Sequence, residues 1–151
     1  MLEEHKKNLF ETLKIDEGVI YKTYLDHLGY ATVGVGHLIL PADPEFDLPL
    51  GTPVSAVRVW ELFDKDLNKM INECEILFEG HWKCFPGEVQ EILVNMMFNM
   101  GRTRLSKFVN FRKQLLLAKW TSSAKEGRDS LWYRQVTNRA ERLMTRLETY
   151  K

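Results

Sequence analysis

Ile15-Asp16-Glu17-Gly18 decides the fold of this chain, because two different patterns of apolar residues meet there. Before it, apolar side chains recur at helical spacing, and glycine suits the left-handed position that follows a helix. After it, residues 19–24 and 30–40 are rich in aromatic and β-branched side chains, and Asp26-His27-Leu28-Gly29 between them has the chemistry of a turn. We therefore expect an N-terminal helix that ends at Glu17, followed by a small antiparallel sheet.

The next segment is predicted to be a loop and then a long helix. Residues 41–53 contain four of the five prolines and several acids, which favours an irregular connection. From there to Leu77 apolar side chains recur at helical spacing, and Ser55 is suited to the N-cap. A helix over residues 55–77 would be on the order of 33 Å long, enough to connect two lobes.

The remaining residues are predicted to be helical throughout. Pro86 suits the first turn of an apolar helix that Gly101 can end. Shorter helices are expected around residues 108–115 and 120–124, and Thr137 is expected to cap a last helix. The methionine and aromatic stripes of these helices are interpreted as core.

The composition fits one domain with an uneven charge distribution. A chain of 151 residues with 44% apolar content can bury a sizeable core without disulfides or metals. The net charge is zero, but residues 1–100 carry 8 Lys and Arg against 17 Asp and Glu, whereas residues 101–151 carry 13 against 4. The halves, at −9 and +9, indicate mutual contact or a basic surface for peptidoglycan, nucleic acid or acidic lipid. Solvated basic helix faces are the simpler interpretation.

The two cysteines, Cys74 and Cys84, do not form the pattern of a secreted disulfide framework. We expect free, buried or half-buried thiols in a protein made in a reducing cytoplasm. A metal site that includes His81 lacks close C-x-x-C spacing and is the weaker interpretation. The polar start of the chain does not resemble a signal peptide, and no run of about 18 apolar residues could span a membrane.

Glu17 and Asp26 flank one predicted strand, and Thr32 lies on the next. Two carboxylates with a nearby hydroxyl are the groups with which a glycosidase cleaves a sugar–sugar bond. The negative end of a helix dipole also favours the protonated form of Glu17 that a general acid requires. Both acids have a structural interpretation too, as common residues beside helix-ending glycines and turns. The dinucleotide-binding fingerprint is missing, since Gly34-Val35-Gly36 lacks a third glycine. P-loop, H-E-x-x-H and nucleophile-elbow motifs are missing as well.

The chain resembles the lysozymes of the T-even bacteriophages, a muramidase family, in motifs that follow one another in the same order over nearly its whole length. The stretch between Leu38 and Phe63 is shorter than in the family. The matching motifs are Lys14-Ile15-Asp16-Glu17-Gly18, Tyr24-Leu25-Asp26, Gly29-Tyr30, Thr32-Val33-Gly34-Val35-Gly36-His37-Leu38, Asn95-Met96-Met97-Phe98-Asn99-Met100-Gly101 and Trp132-Tyr133-Arg134-Gln135-Val136-Thr137-Asn138-Arg139-Ala140.

The resemblance implies a single α+β lysozyme domain with two lobes. Its β-containing N-terminal lobe would cover about residues 15–54, its connecting helix residues 55–77, and its helical lobe residues 78–151 together with the N-terminal helix. The implied reaction, which needs neither cofactor nor metal, is hydrolysis of the β-1,4 bond between N-acetylmuramic acid and N-acetylglucosamine.

The site residues of the family match five positions of this chain. Glu17 matches the general acid, Asp26 the second carboxylate, and Thr32 the hydroxyl that helps to hold the attacking water. Leu38 and Phe98 match positions that line the sugar cleft. These five residues are the predicted site.

Other positions are implied to support the site or depart from the family pattern. The pattern places Arg139 near the general acid and pairs His37 with an acid such as Asp66. Phe111 and Glu126 stand where the family has small polar side chains that contact the substrate. The preferred wall peptide or acetylation state is therefore left open.

We expect a monomeric phage endolysin that acts on bacterial peptidoglycan, with no nucleic-acid partner and no stable membrane insertion. Lacking an export signal, it would wait in the host cytoplasm until a separate holin gave it access to the periplasm and cell wall. One alternative is a peptidoglycan-binding module of the same fold that does not hydrolyse, against which the intact Glu17, Asp26 and Thr32 argue. The other is a nucleic-acid binder that uses the basic half, which lacks a recognisable binding motif.

Overall fold

The computed structural model describes all 151 residues as seven α-helices and one small sheet, which confirms the expected α+β class. Two short 3-10 helices, Pro44–Asp47 and Trp82–Cys84, lie in the connections. The α-helices are α1 Glu3–Glu17, α2 Ala56–Leu77, α3 Gly87–Ser106, α4 Val109–Leu116, α5 Trp120–Arg128, α6 Leu131–Gln135 and α7 Thr137–Glu148. The strands are β1 Ile20–Leu25, β2 Ala31–Gly34 and β3 His37–Leu38.

The chain divides into two compact units. The sheet unit consists of Lys7–Lys69 and holds all three strands. The helical unit consists of Met1–Lys6 and Met70–Lys151 and holds α3 to α7. Both α1 and α2 contribute residues to each unit, and most of α1 falls within the sheet unit.

The sheet is antiparallel, with strand order β1-β2-β3. The prediction of one continuous second strand over residues 30–40 is wrong, because the chain turns back between β2 and β3. Gly34 and Gly36 adopt φ values of 68° and 63°, a left-handed conformation that side chains with a Cβ rarely adopt. The turn at these two glycines therefore divides the predicted second strand into β2 and β3.

The start of α2 and the core of the sheet unit follow the predicted apolar pattern. Ser55 Oγ accepts a hydrogen bond from the backbone N–H of Arg58 at 3.1 Å, which confirms Ser55 as the N-cap. Buried side chains from β2, the segment after β3 and α2 pack into one cluster, formed by Val33, Ile39 and Leu62. This packing holds the sheet against the first part of α2.

Gly101 has a non-helical conformation, with φ 79° and ψ 167°, so it ends the first segment of α3 as predicted, and a second helical segment continues to Ser106. The helical unit contains two differences from the predicted helices. The short helix α6 was not expected, and Ser130 caps it by accepting a hydrogen bond from Tyr133 N. Thr137 is not an N-cap, because it lies inside α7 and its hydroxyl donates to Tyr133 O.

Helix α3 is the centre of the helical unit. Every side chain from Ile92 to Met97 is buried, so the helix is covered on all sides. The buried Glu91 binds His5 at 2.5 Å and Arg146 at 3.2 Å. These ion pairs connect the N-terminal segment and α7 to α3. No helix of the structure combines the length and apolar character needed to cross a membrane.

Candidate active site

Glu17 is the last residue of α1, and its side chain is exposed to solvent. The helix ends there because Gly18 adopts a φ of 78°, although a Cβ at Gly18 would have no heavy atom within 4 Å. Glycine is thus required for its backbone conformation and not for space. The helix end delivers the Glu17 carboxylate to the surface immediately before β1.

Asp26 follows β1 and closes the turn between β1 and β2. Its Oδ1 accepts hydrogen bonds from the backbone N–H groups of Leu28 at 2.9 Å and Tyr30 at 2.8 Å. Its own N–H donates to Tyr30 O at 2.9 Å, and Gly29 N donates to Asp26 O at 3.0 Å. One carboxylate oxygen therefore fixes the side chain within the turn, while Oδ2 lies outside these bonds.

Thr32 lies on β2 and is connected to the same turn. Its hydroxyl donates a hydrogen bond to Tyr30 O at 2.8 Å, and only 4% of the residue is exposed. A hydroxyl has a single proton, so Oγ1 is left as a hydrogen-bond acceptor. Asp26 and Thr32 thus both donate to the carbonyl oxygen of Tyr30, which fixes them beside each other.

Tyr24 connects the two carboxylates of the predicted pair. Burial raises the pKa of its phenol, and the negative charges of Asp26 and Glu17 raise it further. Both carboxylates therefore lie within electrostatic range of one side chain. No role was predicted for Tyr24 from the sequence. Its spacing was a usable signal, because residues two apart along an extended chain point to the same face and Tyr24 lies two residues before Asp26.

The two predicted cleft residues lie in different units. Leu38 is on β3 opposite Thr32, and 48% of it is exposed. Phe98 is half-buried on α3 in the helical unit. The sheet therefore brings Asp26, Thr32 and Leu38 together, while Phe98 belongs to a separate compact unit.

His37, which precedes Leu38 on β3, forms a buried ionic network with two aspartates. Its Nδ1 lies 2.7 Å from Asp66 Oδ2, which confirms the expected pairing. Its Nε2 lies 2.8 Å from Asp43 Oδ2, a second partner that was missed because Asp43 lies in the proline-rich loop. Burial lowers the pKa of His37, but its hydrogen bonds to Asp66 and Asp43 outweigh this, so the pKa is raised overall.

Asp43 also organises the chain that follows β3. Its Oδ2 accepts a hydrogen bond from Leu40 N at 2.8 Å. Burial raises the pKa of Asp43, but this bond and the contacts with His37 and Lys65 lower it to below its usual value. A few residues further on, the buried Glu45 binds Arg58 at 2.8 Å. The predicted loop is therefore attached to the rest of the sheet unit by the ion pairs of Asp43 and Glu45.

The two departures from the family pattern line one pocket of the helical unit. This pocket of about 280 Å³ is formed by the turn before α4, the first turn of α4 and residues from α5 onward. Phe111 is buried in its wall, and Glu126 is half-buried. Lys107 lines the same pocket, so charges of both signs face it.

The cysteines are both free thiols. Cys74 is buried, and burial raises the pKa of its thiol, whereas Cys84 is exposed. The expectation that both are at least half-buried is therefore wrong for Cys84. No group of three His, Cys, Asp or Glu side chains is arranged to hold a metal ion.

The charges of the basic half are divided between internal ion pairs and open surface. Arg146 binds Glu88 and Glu91, and Arg102 binds Glu73, so some of the asymmetry reflects contacts with acids from the first 100 residues. Other exposed cations form no ion pair: Lys107, Lys113, Lys119, Lys125 and Arg134. Contact between the halves therefore accounts for part of the asymmetry, and the remaining cations lie on solvent-exposed surface.

Comparisons with known proteins identify the family of the chain and agree with its fold class. A family model described as phage lysozyme matches residues 14–147. The chain is 32% identical to the pre-baseplate central spike protein Gp5 of Enterobacteria phage T4, over 90% of this chain and 27% of that protein. It is 27% identical to probable T4-type lysozyme 1 of Dictyostelium discoideum, over 92% of each chain, and 29% identical to probable T4-type lysozyme 2, over 94% of each.

Proposed function

Because this chain belongs to the phage lysozyme family and is a muramidase-type peptidoglycan hydrolase, we propose that it cleaves the β-1,4 bond between N-acetylmuramic acid and N-acetylglucosamine. We propose Glu17, Asp26 and Thr32 as its catalytic residues, and Leu38 and Phe98 as substrate-binding residues. The observation that carries the proposal is geometric: Asp26 N and Thr32 Oγ1 both donate to Tyr30 O at the turn after β1, and Glu17 ends the helix that precedes this strand.

Glu17 acts as the general acid. Cleavage of a glycosidic bond requires a proton on the leaving oxygen, and a carboxylic acid at the protein surface can donate it. Its place at the C-terminal end of α1 supports this role, because the helix end brings the carboxyl to the surface immediately before β1. After bond cleavage Glu17 is left as the carboxylate.

Asp26 acts as the base that activates water, with Thr32 as the second contact of that water. The Thr32 hydroxyl proton is already donated to Tyr30 O, so Oγ1 accepts one proton of the water. Asp26 accepts the other proton as the water attacks. This arrangement directs an oxygen lone pair of the water toward the anomeric carbon, which supports a single displacement with inversion.

The test is lysis of purified bacterial cell walls, followed as loss of turbidity. Glu17→Gln should fold normally and lose at least about a hundredfold in rate, because an amide cannot donate the proton. Glu11→Gln is the matched control, since Glu11 is an exposed acid on the same helix, and its rate should stay within twofold of wild type. A Glu17→Gln variant that keeps a tenth of the wild-type rate would contradict the assignment.

The same assay separates hydrolysis from binding alone. A non-hydrolytic module of the same fold would sediment with the walls, release no reducing ends and be unaffected by Glu17→Gln. We expect the wild-type protein to release reducing ends and Glu17→Gln to sediment with walls that stay intact.

We further propose that the protein acts as a monomer in phage lysis. It would accumulate in the host cytoplasm and depend on a separate holin to reach the periplasm. Added from outside, it should lyse Gram-negative cells only after their outer membrane has been permeabilised. Equal lysis of intact and permeabilised cells would contradict this dependence, and the molecular mass in solution tests the monomer.

A further inference from the structure

Tyr24 belongs to a row of three residues that crosses the sheet. Its Cα is paired with that of Thr32 on β2, and Thr32 is paired with Leu38 on β3. Directly opposed residues of antiparallel strands project to the same face, with Cβ atoms about 4.5–5.5 Å apart. The row therefore places a phenol on one side of the Thr32 hydroxyl and an aliphatic side chain on the other.

The Tyr24 phenol forms no hydrogen bond with another residue of the protein. The ring is half-buried, and the charges of Asp26 and Glu17 lie within electrostatic range of its hydroxyl. A tyrosine side chain combines an apolar ring with a hydroxyl that can donate a hydrogen bond to a ligand. The nearby Oδ1 of Asp26 is already occupied by two backbone N–H groups. An unused donor thus lies beside the proposed catalytic carboxylates.

The surrounding charges keep this donor available. Two carboxylates and burial disfavour the phenolate, so the hydroxyl keeps its proton throughout the neutral range. Glu17 donates to the leaving oxygen and Asp26 accepts from water in the proposed reaction, so neither serves the other oxygens of the sugar. Tyr24 is the donor left for them.

We propose that Tyr24 is a substrate-binding residue, whose hydroxyl donates a hydrogen bond to a hydroxyl or acetamido oxygen of the sugar bound over Glu17 and Asp26. Its ring packs against the C–H face of that sugar. This role rests on the proposed function, and it adds a contact that fixes the sugar relative to both carboxylates. The loss of one neutral hydrogen bond corresponds to about three- to tenfold weaker binding.

The decisive experiment measures binding without turnover. Soluble peptidoglycan oligosaccharide is titrated calorimetrically into Glu17→Gln and into the double variant Glu17→Gln/Tyr24→Phe. The hydroxyl-deleted variant should bind about three- to tenfold more weakly, with an unchanged thermal midpoint. Tyr21→Phe in the same background is the matched control, because Tyr21 lies on the same strand and is exposed, and it should not change the affinity. Equal affinities for the Tyr24 and Phe forms would overturn the proposal.

Kinetics distinguish a sugar contact from an effect on the carboxylates. In the otherwise wild-type protein, Tyr24→Phe should raise KM about three- to tenfold and leave the pH profile of kcat in place. A shifted pH profile with unchanged KM would mean that Tyr24 acts through Asp26 or Glu17, which contradicts the proposed contact. If Glu17→Gln keeps full activity, the proposed acid is wrong, but the affinity difference between the Tyr24 and Phe forms still tests this inference.

Discussion

Nδ1 of His37 lies 2.7 Å from Oδ2 of Asp66, and this contact joins β3 to α2. The other ring nitrogen faces Asp43 at 2.8 Å. A neutral imidazole has one donor and one acceptor, whereas the protonated ring donates from both nitrogens. Two carboxylates on opposite sides therefore favour the imidazolium, which explains why the pKa of His37 is raised despite burial.

The first prediction concerns the pH dependence of stability. The raised pKa of His37 contributes stability that is full below the unfolded value, about 6.5, and is lost as the pH rises through the folded value. The lowered pKa of Asp43 contributes above its unfolded value, about 3.9, and is lost as the pH falls through the folded value. The network should therefore stabilise the fold most between about pH 4 and 6.5.

Asp43→Asn should lower the free energy of unfolding by about 2–4 kcal/mol at pH 5.5, a value within this window, because it leaves a buried imidazolium with one partner fewer. Urea unfolding from pH 4 to 9 measures this. The difference between variant and wild type should shrink as the pH rises through the folded pKa of His37, which is raised above its ordinary value. If the free energies of unfolding of variant and wild type followed parallel pH profiles, the network of His37 and Asp43 would not be the source of the pH dependence.

The second prediction isolates the acceptor role of Thr32. Thr32→Ser keeps Oγ1 and should retain activity within a fewfold of wild type. Thr32→Val keeps the shape but loses both the bond to Tyr30 O and the acceptor for the water, so the rate should fall about 10- to 100-fold. Wall-lysis rates and circular dichroism are the measurements. Similar rates for the serine and valine variants would show that Oγ1 does not hold the water.

The third prediction compares two acids that bind the same arginine. Glu91 is 2% exposed and binds His5 and Arg146, whereas the Glu88 side chain is 38% exposed and binds Arg146 alone. Glu91→Gln should lower the free energy of unfolding by about 3 kcal/mol, because Glu91 is buried and its half-buried partners, His5 and Arg146, both lose a carboxylate contact. Glu88→Gln should cost less than about 1 kcal/mol. Denaturant titrations measure both losses in the free energy of unfolding. Equal losses for Glu91→Gln and Glu88→Gln would contradict the prediction.

The fourth prediction is stereochemical. Attack by a water held between Asp26 and Thr32 inverts the anomeric carbon, so the β-linked glycan should first release an α-anomeric reducing end. Early proton NMR spectra of a digest, recorded before mutarotation, detect it. A β anomer formed first would assign Asp26 as the nucleophile of a double displacement.

The fifth prediction concerns the exposed cations of the basic half. If they gather the anionic wall, binding should weaken with salt, which screens charges beyond about 8–10 Å near physiological ionic strength. Lys107→Glu and Lys113→Glu should weaken wall sedimentation more than they slow hydrolysis of short soluble fragments. Arg102→Glu is less informative because Arg102 binds Glu73 at 3.1 Å. Salt-independent binding would assign these charges to other roles.

The sequence predicts those features that depend on neighbouring residues. The end of α1 at Glu17, the turn at Asp26 and the cap at Ser55 are each determined by a few adjacent side chains and backbone conformations. The short helix α6 has only five residues, too few to show an apolar period. The turn at Gly34 and Gly36 was not predicted, because the β-branched residues around it favour a continuous strand.

The missed parts of the site depend on contacts between separate segments. Asp43 reaches His37 from a loop whose proline content predicts irregular structure but no particular partner. The common electrostatic effect of Glu17 and Asp26 on Tyr24 requires the relative placement of α1 and β1, which no local pattern specifies. Glu17 and Asp26 themselves could be identified because the family resemblance assigned them roles.

The carbonyl oxygen of Tyr30, which accepts from both Asp26 N and Thr32 Oγ1, has a consequence for how the chain tolerates length changes. We expect an inserted or deleted residue between positions 26 and 32 to separate the proposed base from the proposed acceptor of its water. Insertions in the loop after Leu38 would leave that spacing intact. We therefore expect residues 26–32 to be transferable, in register, to another antiparallel pair of strands. The transferred turn would carry the proposed base and the proposed water acceptor together, whereas the acid must come from a separate helix end.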